Sequence, residues 1–421
     1  MRNRVRGWDR RLWMLLSLVL ALRLLPASAD MAPAPDVEQS PASGNWHQVV
    51  GGGFGDSSVN PFNPLAEFQG QLYAGAFEKT KGCQLLRSAD GVTWERVVGP
   101  QAPTPSGFGN SRNQSINTLT VLGDRLYAGT WNEIEGAELW RSADGATWES
   151  LVGPNAPKPS GFGKLENSGI TALGAFRGRL YAGTGSLYCK DGVELWSLQP
   201  DENVWEPIAG ERFALRTALA RESKYLLAMA AFRDALYVAT GDQRTGGSEI
   251  WRSNDGRFWE AVVGAPSPYR AGMGHPSHDM IFELAVFTDH LYAAVQDRAG
   301  QGGALWRSRD GTTWEMIVGD EGGRYPSGFG QPNIGLVSLA AAGGTLFLGT
   351  TNMTDGGQLW ASADGVHWRC VVGPGARMPG GFGRPSNRSL FSLLAFKGHL
   401  YASVDNDAEG GAIWRLALRE K

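Results

Sequence analysis

GAELWRSADGATWESLVG, residues 136–153, contains a Trp, a Ser-Ala-Asp-Gly turn and a second Trp. The phrase returns as GCQLLRSADGVTWERVVG from Gly82, GSEIWRSNDGRFWEAVVG from Gly247, GALWRSRDGTTWEMIVG from Gly303 and GQLWASADGVHWRCVVG from Gly357. A catalytic group is needed once, whereas a turn is needed in every copy of a repeat, so five copies mark Asp144 as architecture. Asp and Ser side chains satisfy nearby backbone N–H groups, and Gly tolerates positive φ, which is the chemistry of a tight turn.

A second marker sets the period. LYAG or a close variant begins at Leu72, Leu126, Leu180, Leu236, Leu291, Leu346 and Leu400, at intervals of 54, 54, 56, 55, 55 and 54 residues. Each copy reads as four short strands: in the third copy ITALGAFRG and RLYAGT, in the second AELWRSA and, past the turn, TWESLV. Four strands written seven times predict an all-β chain folded as a seven-bladed β-propeller of four-stranded antiparallel blades. With 42% hydrophobic residues and 58 glycines, the composition suits a turn-rich β-protein. The last copy ends without a fourth strand. NWHQVV at 45–50 matches the missing piece, which predicts that the N-terminal strand closes the last blade and hides its edge. Thirteen of sixteen tryptophans fall on two repeat positions and two more in the N-terminal segment, which leaves Trp131 to be explained.

Ser142, Asp144, Gly145 and Trp148, with their four full counterparts, resemble the Asp-box repeat of sialidases and other β-propellers. The usual pattern, Ser-x-Asp-x-Gly-x-x-Trp, has one residue more between Asp and Gly. The resemblance implies a turn between third and fourth strands, a Trp packed between sheets, and a ligand face opposite the boxes. The Arg-Ile-Pro motif common in sialidases does not occur in the chain.

Residues 1–29 combine a basic leader, an apolar run from Leu12 to Leu22 and Ala27-Ser28-Ala29, a secretory signal with cleavage expected near Ala29. The run is too short for a stable membrane span, and Arg23 interrupts it. Residues 30–44 read as a flexible leader and 45–421 as the propeller, placing the mature protein outside the cytoplasm. Cleavage removes six arginines and Asp9, taking the formal charge from −3 to −8, which argues against nucleic-acid binding. Cys83, Cys189 and Cys370 have no metal-ligand spacing and cannot all pair.

What the repeat leaves over supplies the candidate ligand residues. Five positions beyond the Tyr or Phe of each second strand stand Glu78, Asn132, Ser186, Asp242, Asp297, Asn352 and Asn406, all oxygen-bearing; they either begin turns or ring the channel, where they could hold a cation such as calcium. Trp131, Tyr188, Tyr225, Tyr269 and Tyr325 lie in expected loops of the variable face, and flat aromatic rings suit sugars. SGFG or GGFG precedes most blades, but the loop GAPSPYRAGMGHPSHDM from Gly264 departs from it and carries His275, His278 and Asp279, which could serve as a general base or metal ligands. The ligand set expected is Trp131, Tyr188, Asp242, Tyr269, His275, His278, Asp297 and Tyr325. The expected function is a secreted binding or scaffold propeller for a glycan or extracellular protein, without a dedicated cofactor. The alternative is a carbohydrate-active hydrolase or lyase.

Overall fold

The computed structural model describes residues 45–186, 192–201, 203–210, 223–241 and 246–418. The expected signal segment and leader, Tyr188, Cys189 and Asp242 lie outside them.

Among the described residues the chain is all β apart from short helical turns, and its strands pair antiparallel in sets of four. Ser115–Leu122, Arg125–Trp131, Leu139–Ser142 and Glu149–Val152 form one set. Every LYAG segment is the second strand of its set and is buried along most of its length. Two-residue turns join first to second strands. At Gln69-Gly70, Arg177-Gly178, Gly343-Gly344 and Lys397-Gly398 both residues have positive φ, the turn whose twist matches a hairpin. The final set takes its fourth strand from the other end of the chain: His47–Val50 pairs with Ala412–Ala417.

The recurrent Asp turns join third to fourth strands. Asp144 Oδ1 accepts from the N–H of Ala146 and Thr147 at 2.8 Å each, and Ser142 Oγ accepts from Gly145 N at 2.7 Å. The same bonds recur at Asp90, Asp255, Asp310 and Asp364. Backbone donors from Thr147 and Ala146 hold the Asp144 carboxyl below the usual carboxylate range. These aspartates are spent on turns. In the third set, where the Asp turn is missing, the strands Leu195–Gln199 and Val204–Ala209 run on to meet at Gln199 and Val204.

Each turn also locks to its neighbour. A Cβ added at Gly145 would come within 1.8 Å of Tyr73 Oη, so the tyrosine of one set is seated beneath the turn glycine of the next. Tyr181 meets Gly256 in this way, Tyr237 meets Gly311, Tyr292 meets Gly365, and Tyr401, near the C-terminus, meets Gly91 of the first set. Lys397 Nζ donates to Ala89 O at 2.7 Å, and one hydrophobic cluster mixes Leu65, Leu72 and Trp94 with Phe396, Tyr401 and Ile413. The first and last sets therefore pack as neighbours.

The SGFG segments are packing devices. In Ser106–Gly109, Gly107 and Phe108 both adopt left-handed φ, which turns the ring onto Trp140 at 4.9 Å and 9°. Phe162 stacks on Trp196, Phe329 on Trp360 and Phe382 on Trp414 in the same manner. Where the first set has Leu86 in place of the Trp, the guanidinium of Arg96 lies 4.6 Å over Phe54. Aromatic stacking beyond area burial contributes about 0.5–1.5 kcal/mol per pair, which offsets part of the roughly 1–3 kcal/mol strain of a left-handed Phe.

Candidate functional site

The first strands of the sets surround a cavity of about 370 Å³. Its wall is set by a register slip repeated along the chain. Pairing of first with second strands skips a residue between Ile116 and Thr118, Ile170 and Ala172, Leu226 and Ala228, Ile281 and Glu283, Leu336 and Ser338, and Leu390 and Ser392, and across Phe62 to Leu65 in the first set. A bulge frees one residue from the ladder and re-aims its side chain. Asn63, Asn117, Thr171, Leu227, Phe282, Val337 and Phe391 stand at these bulges, and all line the cavity. Each lies nine residues before the repeat Leu. The wall is polar across the first three sets and apolar across the last four.

Two aromatic rings stand at one end. Trp131, the last residue of its strand, packs against Tyr225 with centroids 6.4 Å apart and planes at 30°. Glycines make room for them: a Cβ at Gly169 would meet the Trp131 ring at 2.3 Å, and one at Gly185 would meet Tyr225 at 2.8 Å. Trp131 Nε1 donates to Glu133 Oε1 at 3.2 Å, and both residues line the cavity. Asp405 occupies the repeat position of Trp131 in the last set; burial pushes its carboxyl up to about 7, against the bond from Ser389 N at 2.6 Å.

Deeper in the wall, Glu283 follows the Phe282 bulge. In two other sets its position holds Ser338, which donates to Leu390 O at 2.6 Å, and Ser392, which accepts from Leu65 N at 3.1 Å. Glu283 has no hydrogen-bond partner among the described residues. Although it borders the cavity, surrounding protein desolvates it and pushes its carboxyl up to about 8.

Of the other expected ligand residues, Tyr269 and Tyr325 are placed away from the cavity. The Tyr269 hydroxyl accepts from Trp314 N at 3.0 Å and donates to Trp314 O at 3.2 Å; Tyr325 does the same with Trp368. Both staple one set to the next. His275, His278 and Asp297 do come together: the His rings are 4.5 Å apart, and His278 pairs with Asp297 across the ladder. His278, however, fills a repeat position. Asn113, Asn167, Asn333 and Asn387 stand there in other sets, each donating to the carbonyl of the left-handed Gly. The His278 ring is buried, its Nδ1 has no hydrogen-bond partner among the described residues, and burial pushes its pKa down to about 4, so it is neutral. Ala304 stands where Glu138 meets Asn113 in the second set, which gives the larger imidazole room. Among the described residues no cluster of three His, Cys, Asp or Glu is arranged to hold a metal ion.

Among the described residues, the oxygen-bearing positions after the second strands are buried. Asn132 Oδ1 accepts from Ile134 N and Glu135 N, while its amide donates to Asn113; Asn352 and Asn406 repeat the arrangement, and Asp297 accepts from Ala299 N. The three Asn-x-Ser/Thr sites, Asn113, Asn352 and Asn387, belong to this network and are inaccessible in the folded chain. Cys83 and Cys370 are free thiols, the latter pushed up to about 12 by burial.

No protein-family model matches the chain, and no curated protein matches it in sequence. Solved structures resemble it in fold. YCF48 from Cyanidioschyzon merolae, a β-propeller, aligns with a TM-score of 0.53 at 15% identity, over 88% of this chain and 98% of that one. The Hadza microbial sialidase Hz136 aligns with a TM-score of 0.47 at 15% identity, over 84% and 74% of the two chains. The likeness to YCF48 concerns the fold alone: the chain has a propeller-like all-β fold. No described helix is long and apolar enough to cross a membrane.

Proposed function

We propose that the protein is an exported, seven-bladed β-propeller, closed by His47–Val50, that binds a small organic ligand or glycan segment at the channel mouth. The contacts of Tyr401 with Gly91 and of Ser392 with Leu65 support the closed ring, since they join the last set to the first. The observation that carries the binding role is the cavity whose mouth holds the Trp131–Tyr225 pair. Unlike Phe108 or Tyr269, Trp131 is not spent on a contact repeated between sets. Its ring borders open space beside a wall offering Asn63, Asn117 and Thr171 to hydroxyl groups. A volume of about 370 Å³ lies at the lower end of small-ligand pockets.

A panel of mono- and oligosaccharides, titrated calorimetrically into mature protein and its Trp131→Ala variant, tests the role. The expected result is a saccharide whose affinity falls at least about ten-fold in the variant while the melting temperature holds. A ligand equally well bound by both proteins refutes the placement.

A further inference from the structure

The apolar half of the channel contains one ionisable residue that the fold does not use. Glu283 sits in a wall made of Leu227, Phe282, Val337 and Phe391, at a position where Ser338 and Ser392 spend their hydroxyls on the neighbouring strand. Replacing a serine with a longer carboxylic acid at such a place adds a desolvated group and leaves it unbonded. A half-buried carboxyl that borders the cavity with no partner among the described residues is open to a contact that the chain itself does not supply.

The second strand sets the distance to the aromatic pair. Glu283 pairs with Ala294, two residues from Gln296, which holds the repeat position of Trp131. At about 3.3 Å per strand residue, the Glu283 backbone lies roughly 7 Å below the repeat level of Trp131. A carboxylate at one level and, at the next, the half-buried Trp131 ring backed by the buried Tyr225 are the two groups that recognise an organic ammonium: one as counter-ion, the other through cation–π attraction.

We propose that the channel binds a ligand carrying an organic ammonium group, seated between Glu283 and the Trp131–Tyr225 pair. This rests on the channel-mouth reading above and names the charge of the ligand. The empty site keeps Glu283 protonated at neutral pH, and the cation takes the place of that proton, which leaves to solvent as the ion pair forms. The strands packed against that of Glu283 bring Tyr225, Tyr237, His290, Tyr292 and Asp297 as their titratable groups, and its own strand brings His278 and Asp279. Desolvation alone moves the Glu283 carboxyl, so none of these masks its titration.

Choline is a suitable probe because its charge does not change with pH. Its control is the uncharged analogue in which a tert-butyl group replaces the trimethylammonium. Titrated calorimetrically into mature protein, choline is expected to bind at least about ten-fold more tightly than the analogue. Its affinity should rise about ten-fold per pH unit up to about pH 8 and then level off, with up to one proton released per choline when measured in buffers of differing ionisation enthalpy. Glu283→Gln, an uncharged mimic of the protonated acid, should reduce the preference to what the aromatic ring alone supplies and abolish the pH dependence; the proton count on unaltered protein decides the matter if that variant fails to fold. Equal affinity for the two probes, choline binding that is flat with pH, or no binding of choline overturns the proposal. Saccharide binding that Trp131→Ala abolishes, found alongside any of these, leaves the channel-mouth reading standing and removes only the ammonium.

Discussion

His278 should make the fold acid-sensitive, and an asparagine in its place should remove that sensitivity. The ring is 4% exposed, and its pKa is lowered from 6.5 to about 4, first by burial and then by the neighbouring His275. With the folded-state value depressed, the unfolded chain takes up a proton below pH 6.5 that the folded chain refuses. The contribution is therefore complete above about 6.5 and is lost as pH falls towards 4. At 1.36 kcal/mol per unit, the gap amounts to about 3 kcal/mol by pH 4. His278→Asn installs the residue that other sets use, with its amide able to donate to the Gly272 carbonyl as Asn113 does to Gly107. Urea unfolding of both proteins at pH 7.5, 6, 5 and 4 isolates the effect of the His278 ring together with its coupling to His275. The expected outcome is a difference that shifts in favour of the variant by about 3 kcal/mol between the extremes. Curves that remain parallel across the range would refute the buried, neutral histidine.

Three further outcomes follow from the packing. Gly145→Ala places a Cβ against Tyr73 Oη at a φ of +71°, so it should destabilise by at least about 2 kcal/mol in denaturant unfolding, and Tyr73→Phe should recover part of that loss; an unchanged midpoint would contradict the interlock. Glu283 has the opposite sign to His278: its folded pKa is raised from 4.5 to about 8, so stability falls as pH rises through that window, by up to about 5 kcal/mol less whatever water in the channel screens, and Glu283→Gln should flatten the curve between pH 5 and 9. Deleting residues 45–50 exposes the edge of Ala412–Ala417 and should lead to association visible by light scattering, whereas an unaltered monomer with its original melting temperature would contradict closure by that strand.

Much of this was legible because a repeat is its own control. The period located the strands, and the absence of a fourth strand after Trp414 assigned 45–50 to the last set, where His47–Val50 now pairs. The turn role of Asp144 followed from its five copies. His278 was legible too, had the copies been superimposed: Asn113, Asn167 and Asn387 each lie five residues beyond the Phe of SGFG or GGFG, and His278 lies five beyond Met273. Read alone, His-x-x-His-Asp suggested chemistry. The hydroxyl bonds of Tyr269 and Tyr325 were not legible for a different reason: an aromatic residue in a loop advertises exposure, while the partner of its hydroxyl, a backbone group about 43–45 residues away, is fixed only by how neighbouring sets pack.

The bulges were not legible, because register depends on pairing between strands, and strand composition does not reveal where one residue is skipped. Once found, they explain how an invariant frame carries a variable wall. Residues at repeat positions must fit a neighbour on each side, so Tyr73, Trp140 and Phe108 recur with little change. A bulge residue has left the ladder and faces the cavity, so its side chain is free of that constraint; Asn117 and Phe282 occupy equivalent places at no cost to strand pairing. The next position lacks this freedom, since it lies against the adjoining strand, as the bonds of Ser338 and Ser392 demonstrate. A carboxyl at Glu283 is thus the costly departure and Phe282 the cheap one. If departures from the repeat are to be ranked for function, the ones that destabilise the empty protein carry more weight than those that cost nothing, and on that ground Glu283 ranks above Trp131.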